Sequence, residues 1–132
     1  MGILKTHYEN GGDVTYEAGA AIQGGRLLTL TSVGDHRAKP IAAHTTGATD
    51  KSVGAAFADA LPGEDVGCSH RTDSWQELEA SAAIAFEAEV VPAANGRIAQ
   101  ATGGAGEQVY GQALQPATAA GQKIWVRVLG RN

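Results

Sequence analysis

The sequence is poor in the residues that mark several classes of protein. Its single cysteine, Cys68, excludes an intrachain disulfide framework and a zinc module built from several cysteines. No stretch approaches the roughly 18 consecutive apolar residues that cross a membrane. The chain has a pI near 5.5 and scattered Lys and Arg, so it offers no basic patch for nucleic acid. We therefore expect neither a nucleic-acid nor a membrane partner.

The sequence is rich in small residues. The 18 glycines and 25 alanines are about a third of the 132 residues. The net charge of −4 and the 18% of charged residues are too low for a solvated coil, so we expect a folded domain with a thin core. Such a core is marginal alone, which favours assembly with neighbours. The N-terminus lacks an apolar signal region, so synthesis in the cytoplasm without export is expected.

The chain divides into an arm and a body. Residues 1–16 are predicted to form an N-terminal arm, with a turn or hinge at residues 10–13 (NGGD). Residues 17–132 are predicted to form a single β body of short strands. The dipeptide Asn95-Gly96 predicts a hairpin between strands at 89–92 and 97–101.

One helix is predicted within the body. Residues 74–85 (SWQELEASAAIA) have helical composition, and Asp73 stands at the N-cap position. The expected fold class is therefore mainly β, with a small β-barrel or β-clip-like body, one short helix and an extended N-terminal arm.

An internal repeat is the most informative feature of the body. Two halves at about 17–69 and 80–130 keep small, apolar and glycine positions in the same order. Each half alone would be an open sheet, and two halves can cover each other's edges. The body is therefore predicted to consist of pseudo-duplicated halves. The matching segments are 18–22 with 80–84, 53–57 with 110–114, and the positions Ala60, Gly63 and Val66 with Ala117, Gly121 and Ile124.

Catalytic and metal-binding sets are incomplete. Cys68 and His70 are two residues apart and would share one face of a strand, but a zinc site needs three or four ligands. Cys68 with His44 or His70 and Asp65 lacks the strand-to-helix elbow that presents a nucleophile. We expect exposed loop histidines, no metal, no cofactor and no enzymatic activity.

Two glycine-rich loops and two tryptophans leave open a binding role. Residues 46–52 and 102–107 lack the Gly-Lys-Ser/Thr of a phosphate loop and are predicted to be surface loops at corresponding places. An alternative function is a sugar- or small-ligand-binding β-clip module whose cleft uses loops 45–51 and 102–108. Trp75 and Trp125 are assigned to different halves and are more typical of core or interface anchors than of a sugar platform.

The order of these segments resembles that of small capsid decoration proteins of tailed phages, the lambda-type group. The residues that carry the resemblance are 27–30, 46–50, 53–60 and 63–66 in the first half, and 95–97, 111–114 and 121–126 in the second. Residues 6–8 (THY) are similar to the arm of that group. Segment 69–80 does not match the pattern, and its role stays open.

The resemblance implies a structural function. It implies a homotrimer on the outer surface of an icosahedral capsid, where it bridges major capsid proteins and stabilises the head without catalysis. The protein would be made in the host cytoplasm and become part of the virion. Trp75 and Trp125 are hypothesised to make subunit contacts. The arm residues expected to contact the capsid are Ile3, Leu4, His7 and Tyr8.

Overall fold

The computed structural model describes residues 13–32 and 39–129 of the chain, and these residues form β-strands joined by turns and loops. The mainly β fold class predicted from the sequence is confirmed. None of the described residues belongs to a helix long and apolar enough to cross a membrane. The elements are β1 (Asp13–Ala18), β2 (Leu27–Ser32), β3 (Ile41–His44), β4 (Ser52–Ala56), β5 (Asp65–Ser69), β6 (Trp75–Glu79), β7 (Glu89–Pro92), a 3-10 turn (Ala94–Gly96), β8 (Ile98–Gln100), β9 (Gly111–Ala113) and β10 (Lys123–Val128).

The first half is a closed five-stranded barrel. Its strands follow the order β1-β3-β2-β4-β5, and β5 pairs with β1 to complete the ring. The pairs are antiparallel except β1 with β3, which are parallel through Glu17–Ile41 and Ala18–Ala42. Closure leaves the ring without an unpaired edge.

The second half repeats this pairing strand by strand. Its order is β6-β10-β9-β7-β8, so β6 to β10 occupy the places of β1 to β5. A parallel bridge between Ala80 and Ile98 stands where β1 and β3 pair in the barrel. This bridge joins the two ends of the second sheet. The pseudo-duplicated halves expected from the sequence are therefore confirmed, but the expectation that each half alone is an open sheet is wrong for the first half, because β1 and β5 pair and close it.

Isolated bridges mark equivalent positions in both halves. Ile22 and Ala60 exchange two backbone hydrogen bonds of 2.8 and 3.0 Å. Ile84 and Ala117 exchange two of 2.9 Å at the matching place. These are positions that the sequence comparison also matched, so the small residues of the repeat coincide with the same backbone contacts.

The same kind of turn occurs once in each half and explains the glycines at positions 63 and 121. Gly63 donates its N–H to the carbonyl of Ala18, and Gly121 donates to that of Ala80, both at 2.8 Å. The φ angles of the two glycines are +88° and +90°. Side chains other than hydrogen are disfavoured there, so glycine is required for the same geometric reason twice.

The two halves share their interior. Leu28 and Ala56 point into the barrel and pack in its core, while Leu27 and Ala55 belong to the core cluster of the second half. Because neighbouring residues of a strand face opposite sides, β2 and β4 contribute to both cores. The thin core of the second half is thereby extended by residues of the first.

The hairpin predicted at Asn95-Gly96 is confirmed. β7 and β8 are antiparallel and are joined through the 3-10 turn. Asn95 and Gly96 have φ angles of +61° and +71°, which Asn and Gly adopt more readily than other residues.

The helix predicted at residues 74–85 is wrong. Trp75–Glu79 is strand β6, which pairs with β10 along its whole length. Leu78 and Ala80 are buried, and the residues between and before them are more exposed, so burial has a period of two. Asp73 has a φ of +65°, whereas an N-cap residue is extended. Long-range pairing overrides the helical propensity of this segment.

Two boundaries differ from those drawn in the sequence. β1 begins at Asp13, so residues 13–16 of the predicted arm pair within the barrel. β6 lies in segment 69–80, which the sequence pattern left unmatched, and it is the counterpart of β1. The second half therefore begins near residue 75 rather than 80.

Candidate functional site

Two tryptophans lie on one exposed face of the second half. The β6–β10 ladder places Trp75 opposite Arg127 and Glu77 opposite Trp125. Alternate residues of a strand share a face, so Trp75 and Trp125 are diagonal neighbours across this ladder. They are 65% and 41% exposed. Both belong to the second half, and their assignment to different halves in the sequence was wrong.

A phenylalanine of the first half extends this surface. Phe57 is 63% exposed and lines, together with Trp75, an open depression of about 470 Å³. A side chain at Gly67 would come within 3.1 Å of the Phe57 ring, so this glycine leaves room for the ring. We call Phe57, Trp75 and Trp125 the aromatic face. Sequence reasoning missed Phe57, whose signal was one aromatic residue at the end of a strand of small residues.

Charges of both signs alternate with the tryptophans. Glu77 and Glu79 lie on the same face of β6 as Trp75, and Lys123 and Arg127 share the face of β10 with Trp125. Glu79 stands opposite Lys123 in the ladder. Charged side chains of both signs therefore flank the two tryptophans on this ladder.

An ion-pair cluster joins the two halves beside this ladder. The Arg26 guanidinium from the first half lies 3.3 Å from Glu79 Oε1, and Arg97 lies 3.7 Å from Glu79 Oε2. Arg26 also donates to the carbonyl of Asn95 at 2.9 Å. These contacts fix the 3-10 turn against β2, so they position the halves rather than form a reactive centre.

The two glycine-rich loops are closed on themselves by carboxylates. Asp50 accepts hydrogen bonds from the N–H and hydroxyl of Thr46, and Glu107 accepts the corresponding pair from Thr102. The loops also contact each other, because Gln108 donates its N–H to the carbonyl of a residue in the first loop at 2.8 Å. The loops thus lie at corresponding places, as predicted, and a backbone hydrogen bond joins them.

Glu107 in the second loop and His44 in strand β3 each have a lowered pKa. Hydrogen bonds from the Thr102 N–H and hydroxyl hold the pKa of Glu107 below its usual value. Burial and the nearby Arg26 charge lower the pKa of His44. His44 Nε2 accepts a hydrogen bond from the Gln23 N–H at 3.0 Å, which requires an unprotonated nitrogen.

The candidate reactive residues are not brought together. Cys68 is buried in the barrel core, and its Sγ donates to the carbonyl of Val53 at 3.4 Å. His70 is exposed beyond the end of β5, so the expectation that it shares a face with Cys68 is wrong. Asp65 pairs with Lys39 at 3.0 Å on the surface. Each of these side chains has a structural environment of its own.

The arm residues expected to contact a capsid, Ile3, Leu4, His7 and Tyr8, lie outside the described residues. Their role stays a prediction.

The architecture defines a class of protein, in which two five-stranded β units with the same pairing order are joined in tandem through a shared core. A solved structure with a similar fold is the N base of the head fiber protein gp8.5 in bacteriophage phi29. It aligns with a TM-score of 0.69 over 88% of this chain and 92% of that chain, at 18% sequence identity. The likeness shows that the fold is shared. No family model and no curated protein matches the sequence.

Proposed function

We propose that this chain is a structural protein of a phage virion that binds the outside of the icosahedral capsid and stabilises it by bridging major capsid proteins. The observation that carries this proposal is the fold shared with the base of a phage head fiber over nearly the full length of both chains. The sequence resemblance to tailed-phage decoration proteins points to the same location independently of that alignment.

The energetics of the body support a role in assembly. Its buried side chains are mostly alanine, valine and isoleucine, while three large aromatic residues are left on the surface as the aromatic face. Exposed Trp and Phe are typical of the centres of protein interfaces. A protein with a thin core gains stability when such residues are covered by neighbours.

We further propose that the aromatic face joins copies of this chain into the homotrimer. The face carries Glu77 on one strand and Lys123 and Arg127 on the next, while Glu79 is paired with Arg26 and Arg97 within the chain. Copies of the same surface can therefore pair opposite charges around the tryptophans, whereas a strongly charged face would repel its own copies. The arm would remain available for the capsid.

Capsid binding is tested by co-sedimentation with purified capsids of the phage that encodes the chain. Full-length protein is expected to sediment with expanded capsids, and deletion of residues 2–12 is expected to abolish sedimentation while the circular dichroism spectrum is kept. Mass spectrometry of purified virions should detect the chain. Its absence from virions, or binding that is unchanged by the deletion, contradicts the assignment.

The trimer contact is tested separately. Trp125→Ala is expected to lower the oligomer mass in analytical ultracentrifugation, while its circular dichroism spectrum stays that of a folded β protein. Phe86→Ala is a matched control, because Phe86 is 60% exposed but lies outside the aromatic face. An unchanged mass for Trp125→Ala and Trp75→Ala removes this contact and leaves the capsid proposal standing.

A further inference from the structure

An open recess of about 580 Å³ lies beside the ion-pair cluster, where residues of both halves meet. We call it the seam recess. It includes none of the three residues of the aromatic face, so it is a separate part of the surface. Its polar lining residues are Gln23, Arg26 and His44 from the first half and Glu79, Asn95 and Arg97 from the second.

Arg97 brings to this recess a guanidinium that makes no hydrogen bond with any described residue. Its Nη1 lies 3.7 Å from Glu79 Oε2, which is an ion pair but is longer than a hydrogen bond. The side chain is 28% exposed, and of its nitrogens only Nε is buried without a partner. The two Nη atoms are therefore the donors that a ligand can reach, and an acceptor placed there would satisfy them.

The charges of the seam recess do not cancel. Arg26 already donates to the carbonyl of Asn95 at 2.9 Å and to Glu79 Oε1 at 3.3 Å, so it adds positive charge but its hydrogen bonds are used. Glu79 is the one carboxylate among the described lining residues. Two guanidinium groups against one carboxylate leave an excess of one positive charge. An anion with a single negative charge matches this excess, whereas a dianion exceeds it.

His44 adds a neutral donor to the lining. Its Nε2 accepts a hydrogen bond from the Gln23 N–H at 3.0 Å, so the neutral ring carries its proton on Nδ1. No described residue accepts that proton, and Nδ1 is not a buried atom. The seam recess therefore combines accessible N–H donors from an arginine and a histidine with net positive charge, which is the chemistry that binds an oxygen anion.

We propose that the seam recess binds a carboxylate group, with the Nη atoms of Arg97 as its hydrogen-bond donors. The planar pair of Nη atoms matches the two oxygens of a carboxylate, and one negative charge matches the excess positive charge. The recess is larger than a carboxylate, so it leaves room for the molecule that carries the group. That molecule is either a free organic acid or an acidic side chain of a partner protein, and the experiment distinguishes these two sources.

The proposal is tested with sodium acetate as the probe on the full chain, with sodium chloride and sodium sulfate at equal ionic strength as controls. Two-dimensional amide NMR should show acetate shifting residues around the seam recess with a dissociation constant of about 10 to 50 mM. Chloride should not produce these shifts. Sulfate should bind more weakly than acetate, because its two negative charges exceed the positive charge of the recess.

Two variants of Arg97 separate charge from geometry. Arg97→Gln removes both the charge and the planar donors and should abolish the acetate shifts. Arg97→Lys keeps the charge beside Glu79 but loses the planar donors, so it should bind acetate about 3-fold more weakly than the parent. Lys51→Gln, at an exposed site outside the lining, removes the same charge and is the matched control, which should bind like the parent. A dispersed amide spectrum verifies that each variant is folded.

The pKa of His44 supplies a readout that a purely structural role of Arg97 would not move. The charged groups that line the recess with His44 are Arg26, Glu79 and Arg97. Burial and Arg26 lower the pKa of His44, and a bound carboxylate adds a negative charge that favours the protonated ring. Saturating acetate should therefore raise this pKa by about 0.3 relative to chloride in the parent but not in Arg97→Gln. By linkage, acetate should bind more tightly at about pH 6 than at about pH 7.5.

The outcomes decide the proposal and the source of the carboxylate. Shifts around the recess that are equal in acetate and chloride, or Arg97→Gln that binds acetate like the parent, overturn the site. Where acetate binds through Arg97, co-sedimentation with capsids assigns the source. Weaker sedimentation of Arg97→Gln supports an acidic side chain of a capsid protein, and unchanged sedimentation supports a free organic acid. Acetate binding is measured on the chain without capsids, so failure of the capsid assignment does not affect this result.

Discussion

The two halves have the same strand pairing, but one face of the sheet is buried in the first half and polar in the second. In the first half, Leu27 and Ala55 pair across β2 and β4, and both are buried in the core of the second half. The equivalent pair across β7 and β9 is Glu89 and Gln112, of which Glu89 is exposed. One face of the duplicated unit thus serves as the joint between halves, and its copy was left polar for solvent.

The β6–β10 ladder of the second half also differs from its counterpart in the first half, the β1–β5 ladder. The positions of Glu77 and Trp125 in the second half correspond to Thr15 and Gly67 in the first. The aromatic face is therefore built mainly by the second half. At the position of Trp125 the first half has Gly67, which lies against the Phe57 ring. The two halves thus share one backbone geometry that depends on small residues, whereas their outer faces differ in chemistry.

The sharpest test of the shared backbone is a pair of glycines where strands approach closely. A Cβ at Gly54 would lie 2.5 Å from the Ser69 carbonyl oxygen, and one at Gly111 would lie 2.5 Å from that of Arg127. We expect Gly54→Ala and Gly111→Ala each to lower the free energy of unfolding by about 3 kcal/mol or more. Gly54→Ala should be the worse, because its φ is +132°. Urea unfolding measures both.

The control for the glycines is Gly47→Ala. No atom lies within 4 Å of a Cβ at Gly47, and the backbone N–H that bonds Asp50 is retained. We expect a change within about 0.5 kcal/mol. If Gly111→Ala is tolerated as well as Gly47→Ala, the close approaches at Gly54 and Gly111 are not equivalent. The two halves would then not share this constraint on their backbones.

The next test exchanges a buried residue for its exposed counterpart. Leu27→Ala should cost about 3 kcal/mol in the free energy of unfolding, because Leu27 is fully buried in the core of the other half. Glu89→Ala, at the equivalent position, should change stability by no more than about 0.5 kcal/mol. Thermal unfolding of Leu27→Ala should remain one transition, since the cores are shared. Two separate transitions would mean that the halves unfold independently.

The sequence could predict those parts of the fold that depend on local chemistry. The hairpin follows from Asn95-Gly96, and the repeat follows from glycines and small residues whose backbone geometry admits little else. β6 could not be predicted in this way. Residues of Trp75–Glu79 favour a helix locally, and they become a strand because β10, far along the chain, pairs with them. The tryptophans were proposed as contacts, but their shared face depended on that same strand.

A cavity of about 290 Å³ lies between the halves, and it could not be predicted from the sequence for a related reason. Ser52 and Val109 are distant in the chain, and neither belongs to a motif. Only the packing of the two halves, together with the bulge in β4, brings them to one space. A polar residue within a strand was the single available signal, and a surface position explains such a residue equally well.

The smallest expected effect concerns a histidine that the two halves do not share. The N–H of Gln23 donates to His44 Nε2, and at the equivalent position the N–H of Ala85 donates to Gln100 Oε1 at 2.8 Å. His44→Gln therefore installs in the first half the acceptor that the second half already uses. At pH 7.5 we expect its free energy of unfolding to match the parent within about 0.5 kcal/mol.

Acidification should separate the two proteins. The pKa of His44 is lowered in the fold by burial and by Arg26, so below the unfolded value of about 6.5 the unfolded chain binds a proton that the folded chain does not. Stability of the parent should fall as the pH drops from about 6.5 through the lowered folded pKa, and His44→Gln should lack this component. Urea unfolding from pH 7.5 to 5 measures the divergence. The reverse variant, Gln100→His, should acquire a weaker pH dependence, because residue 88, the counterpart of Arg26, is alanine and brings no charge to that site. Parallel pH profiles for His44→Gln and the parent would mean that folding does not lower the pKa of His44, and would contradict this prediction.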